Sequence, residues 1–170
     1  MPYDVRAVAN VVIDRSQSLG IEVTNLTMNK ILFFVHAYHL AHHGAPLIRE
    51  DAEAWEHGPV YKEIYRQFRG NEDRPIRERP TRLDFKTGGK VPFDDRPDQT
   101  DVGLIGAVID FYLRIPSWKL VEMSHQKGGP WDQTWNHKSP SNPGMIISNE
   151  TIKAYYRESP TLDGGGFGRT

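Results

Sequence analysis

The sequence predicts a mainly α, compact single-domain fold of about six helices, with a small β-hairpin in a central insert. Three observations carry that expectation. Apolar residues recur at three- and four-residue intervals in several segments bounded by capping residues and by Gly or Pro. Period-two alternation is confined to one short stretch, and a length of 170 residues suits one hydrophobic core.

Asp4 caps a first helix on which Val5, Val8, Val12, Ile13 and Leu19 follow helical spacing, with Gly20 as its stop. Thr27 caps a second helix from Met28 to about His43, ended by Gly44 and Pro46; apolar nearly all round, it is expected at the centre of the core. Leu47 to Trp55 reads as extended or irregular, so any strand here is minor. A third helix is expected to begin near Pro59, since a first helical position needs no amide hydrogen, and Gly58 permits the tight approach to it. Val60, Ile64 and Phe68 form its stripe, Tyr61 and Tyr65 flank that stripe, Trp55 sits against its start, and Gly70 stops it after Arg69.

Asn71 to Asp98 is charged and punctuated by Pro75, Pro80, Pro92 and Pro97, which disfavours helix. Leu83-Asp84-Phe85 and Val91-Pro92-Phe93 alternate around Gly88-Gly89 and suggest the hairpin. A fourth helix is expected from about Thr100 through Leu113, burying Leu104, Val108, Phe111 and Tyr112 and ended by Pro116. Ser117 caps a short helix to His125, Pro130 opens another that carries Trp131 and Trp135, and Ser148 caps a last one from Asn149 to about Glu158. The domain thus spans residues 1–158, and residues 159–170 read as a flexible Gly-rich tail.

Composition limits the function classes. A net charge of −1 argues against a chain whose main task is coating phosphate backbones. The DNA-contacting alternative rests on Lys62, Arg66 and Arg69 of the third helix, which is a thin case. With no Cys, thiolate metal sites and a cysteine nucleophile are excluded together. The longest apolar run, Ile31 to Val35, is far too short to span a bilayer, and the N-terminus lacks a signal pattern, so a cytoplasmic location is expected. Gly164-Gly165-Gly166-Phe167-Gly168 lacks the Lys-Ser/Thr of a P-loop.

His36, His39, His42 and His43 crowd one helix, and the i, i+4 spacing of His39 and His43 would let two imidazoles meet one ion. Further ligands are missing, so no metal or other cofactor is assigned. A small His-dependent hydrolase could use His57 or His125, but no Gly-x-Ser-x-Gly elbow serves them. The plainer expectation is that His125 caps its helix and packs between the loops that carry Trp55 and Trp131. Among the aromatics, Tyr61 and Trp135 are the expected partner contacts, joined by Phe167 and Arg169 if the tail orders on binding.

Asn29-Lys30-Ile31-Leu32-Phe33-Phe34-Val35-His36-Ala37-Tyr38-His39-Leu40, then Gly44-Ala45-Pro46-Leu47 and Ala54-Trp55-Glu56-His57-Gly58-Pro59-Val60, resembles the Panacea domain family of SocA-like antitoxins and phage-associated GepA-like proteins. Leu120 to Trp131, a helix ending in Ser-His followed by Pro-Trp, resembles its second signature. The resemblance covers roughly residues 4 to 158; the run from Asn71 to Asp98 is longer and more charged than the family pattern. It marks Lys30, Trp55, Gly58, Pro59, Tyr61, His125, Pro130 and Trp131 as the motif set of the fold. It implies a non-enzymatic antitoxin of a type II toxin-antitoxin system that binds a cognate protein toxin encoded nearby, and, as in SocA-like members, an adaptor that delivers the toxin to a AAA+ protease. The charged insert is where partner choice is expected to be set.

Overall fold

The computed structural model describes residues 1–135 and 145–158. In chain order they form α1 (Val5–Leu19), α2 (Asn25–His43), β1 (Ala52–Trp55), β2 (Gly58–Val60), α3 (Lys62–Phe68) with a 3₁₀ turn at Arg69–Asn71, β3 (Thr81–Leu83), β4 (Lys90–Pro92), α4 (Gln99–Leu113), α5 (Ser117–Ser124), α6 (Pro130–Thr134), β5 (Ile146–Ile147) and α7 (Asn149–Glu158). The fold is mainly α. The tail, with Phe167 and Arg169, lies outside the described residues.

α1 opens on Asp4, whose carboxylate accepts the Arg6 amide, and closes on Gly20, left-handed at φ 67°. α2 starts three residues earlier than expected. Thr24 and Thr27 form a reciprocal capping box, so Thr27 is the inner partner rather than the cap. From there α2 runs through the middle of the molecule, packed by α1, α3, α4, α5, α7 and β2. Its Met28, Ile31, Leu32, Phe33, Phe34, Val35 and Ala37 all lie in the core.

Gly58-Pro59-Val60 is a strand, which corrects the expected helix start at Pro59. β2 pairs antiparallel with β1, Glu53 facing Val60 and Trp55 facing Gly58, and β5 pairs on the other side of β1. A proline is tolerated on an outer strand for the same reason as at a helix start: its missing donor goes unmissed. Tyr61 then caps α3, which keeps Ile64 and Phe68 buried.

α4 is also rotated from the expected face. It buries Ile105, Val108, Ile109, Tyr112 and Leu113, while Leu104 is exposed and Phe111 half-buried. α5 begins at Ser117 with Pro116 as its cap, and Pro130 occupies the first turn of α6. Ser148 Oγ accepts the Thr151 amide at the start of α7.

The insert forms the β3–β4 hairpin and is strapped to α1. Asp14 receives both Arg79 and Arg96. Asn10 Nδ2 donates to the Phe93 and Asp95 carbonyls at 2.9 Å each, and the Arg6 guanidinium lies 4.3 Å over the Phe93 ring. Ile76 and Phe93 are buried, whereas Leu83 and Phe85 near the hairpin turn are 51% and 91% exposed.

Candidate functional site

The two sequence signatures meet around the β1–β2 turn. Trp131 Nε1 donates to the Trp55 carbonyl at 2.6 Å, and His125 Nε2 stands 3.1 Å from the Glu56 carbonyl. The His125 ring is 4.1 Å from Trp131, edge to face, and its Nδ1 donates to the Val121 carbonyl at 2.7 Å. A neutral imidazole has one N–H, so it satisfies one of these carbonyls at a time. Both nitrogens therefore face main chain rather than a carboxylate. His57 is exposed on the turn itself.

On the inner side, α2 holds the turn with polar side chains set in an apolar helix. Lys30 is fully buried, and its Nζ donates to the Pro59 carbonyl at 2.9 Å. Burial disfavours the ammonium and pulls Lys30 down to about 7. Asn29 accepts the Tyr61 amide at 2.9 Å and donates to Asn25, which in turn donates to the Tyr65 carbonyl. Asn25 was not singled out from the sequence, and Asn29 entered only as the first residue of the signature, with no role given; two amides one turn apart at the head of an apolar helix were the available signal. Trp55 packs 4.8 Å from the Tyr65 ring and donates to Glu53.

The α2 histidines have separate tasks. His36 is buried; its Nδ1 accepts the Ile48 amide at 3.1 Å, which leaves Nε2–H to donate to Asn149 Oδ1 at 2.8 Å. His39 Nδ1 donates to the Ala45 carbonyl and His42 Nδ1 to the Tyr38 carbonyl. Among the described residues no group of three or more His, Asp or Glu could hold a metal ion, and no helix is long and apolar enough to cross a membrane.

The family model for "Antitoxin SocA-like, Panacea domain" matches residues 28–132, from the first turn of α2 through Asp132 in α6. Antitoxin SocA of Caulobacter vibrioides (strain NA1000 / CB15N) is 34% identical over 155 residues, 91% of this chain and 82% of that protein. The chain belongs to the SocA-like antitoxin, Panacea domain family. No solved structure matches it significantly.

The residues that the sequence resemblance marks as a set form a packed junction, whose outer edge at Trp55 borders a cavity. Lys30, Gly58, Pro59, Tyr61, Pro130 and Trp131 are buried, and Trp55 and His125 are half-buried. Tyr61 corrects one expectation: at 0% exposure its ring is not available to a partner. Its amide is held by Asn29, its ring lies edge-on to His36, and its hydroxyl has no hydrogen-bond partner among the described residues. Trp135 stays half-buried, stacked on Trp131 with ring centroids 5.6 Å apart. Trp118 is 67% exposed.

Proposed function

We propose that this Panacea-domain protein neutralises a cognate protein toxin, encoded nearby, by direct protein–protein binding. The observation that carries this reading is the 34% identity to an antitoxin across most of both chains. The placement of both His125 nitrogens against main-chain carbonyls, with no carboxylate beside them among the described residues to orient the ring, favours a holding role over acid–base chemistry. The insert sets partner choice: its root is latched to α1, while Leu83 and Phe85 project from its hairpin. Delivery of the bound toxin to a AAA+ protease follows as a second mode that needs the same contact.

Co-expression with the product of the adjacent gene tests this. The expected outcome is rescue of growth together with co-purification on a tagged chain. A toxic neighbour that is neither rescued nor bound contradicts it.

A further inference from the structure

α3 and its 3₁₀ turn are flanked by two adjoining cavities, one against the insert and one against the head of α2 and the β1–β2 turn. The larger, about 940 Å³, is walled by Arg66, Arg69, Arg74, Arg77, Arg79 and Lys90, with Glu63 and Glu78 among them. Six of the 21 basic residues thus sit together with two of the 22 acidic ones, which leaves the rest of the chain with more acids than bases. Arg79 is occupied by Asp14 and Arg77 by Glu22, and Arg74 caps the Gly70 and Asn71 carbonyls. Arg66, Arg69 and Lys90 are exposed and have no ion pair among the described residues. The second cavity, about 450 Å³, shares Arg69 and presents Leu26, Trp55 and Tyr65. Leu26 and Tyr65 are 41% and 37% exposed.

A cationic groove that opens into an aromatic cleft complements a ligand carrying both carboxylates and a large apolar side chain. We propose that this surface docks an acidic segment of a protein partner, its aromatic or aliphatic anchor in the Leu26, Trp55 and Tyr65 cleft and its carboxylates on Arg66, Arg69 and Lys90. This rests on the reading of the protein as a toxin-binding module and specifies the chemistry of the bound segment. Guanidinium groups suit carboxylates because they can donate two parallel hydrogen bonds. A nucleic acid fits less well. Glu56 and Glu72 line the cleft where a base would stack, and Glu63 and Glu78 interrupt the tract that phosphates would follow. Beyond the groove, a long polyanion meets an acidic remainder, whereas a short segment can match local signs.

The test uses the full chain and a short fluorescein-labelled peptide of Asp and Glu flanking one central Trp. A Trp-to-Ser version and a labelled oligo-dT strand serve as comparisons. Fluorescence anisotropy is expected to give saturable peptide binding that weakens with salt and with loss of the Trp. Binding should fall at least about tenfold in the Arg66→Glu/Arg69→Glu variant. A matched reversal elsewhere, Lys127→Glu/Arg157→Glu, should leave it unchanged. Absence of saturable binding, or equal binding by both variants, overturns the proposal. Tighter binding of oligo-dT, lost in the same variant, overturns it in favour of nucleic acid. Because the peptide needs no toxin, this failure is separate from failure of growth rescue. Rescue retained by Arg66→Glu/Arg69→Glu would overturn the docking face and leave neutralisation standing.

Discussion

Gly58 lies against the end of the Lys30 side chain: a Cβ at residue 58 would stand 2.7 Å from Lys30 Cε and 2.6 Å from Ser124 Oγ. α2, β2 and α5 thus converge where the chain has no room for a side chain. The Gly58-Pro59 step of this chain is explained at this point by packing and strand pairing and not by a helix start.

Gly58→Ala should therefore be among the most damaging single-atom additions to the protein. Its φ of 107° is one that residues with a side chain rarely adopt and only with strain, and Lys30 and Ser124 are both buried and bonded. A loss of about 2–4 kcal/mol is expected from strain and overpacking together. A denaturant midpoint equal to that of the wild type would contradict it.

Lys30 gives the fold an alkaline dependence. The unfolded chain holds this proton up to a pKa near 10.5, whereas the folded chain releases it near 7. The cost of burial is full below pH 7 and is relieved as pH rises, so stability should climb by about 3 kcal/mol between pH 7 and pH 9.5. Lys30→Met should flatten that climb. An unchanged slope in the variant would show that Lys30 is not the titrating group.

His36 acts at the acid end. Burial outweighs the bond to Asn149 and pulls its pKa to about 4, against 6.5 in the unfolded chain. Between these values the unfolded state alone gains a proton, so stability should fall by about 3 kcal/mol as pH drops from 6.5 to 4. His36→Asn should remove much of this loss, measured by urea unfolding across that range. Retention of the full loss would contradict the assignment.

Asp14 latches the insert. Partial burial opposes its ionisation, but Arg96 and Arg79 outweigh it and hold the carboxyl below its usual range. Asp14→Asn should cost about 1 kcal/mol, since solvent screens the pairs, yet quicken limited proteolysis within residues 71–98 well beyond that within α1. Equal cutting rates would show that the pairs do not anchor the insert.

Much of the fold was legible because helix ends carry local signals: Asp4, Gly20, Gly44, Pro130 and Ser148 all act where the sequence puts them. The errors arose where two physical rules share one residue pattern. Pro59 satisfies a helix start and an outer strand alike, and the pairing with Ala54 that decides between them is not local. α4 is apolar on several faces, so the 104 and 105 stripes read alike until α1 and α2 select one. At the site, the signature residues were visible as a set, but the burial of Lys30 and Tyr61 was not. It depends on Asn29 and on the Pro59 carbonyl, which only the folded chain brings together.

The most direct test of neutralisation by binding is titration of the purified chain into the purified product of the adjacent gene, with no protease present, while the activity of that toxin is followed. The expected result is inhibition that is complete at a fixed molar ratio, with a complex of the same ratio recovered by gel filtration. Full toxin activity at a large molar excess of the chain, with no complex, would contradict it.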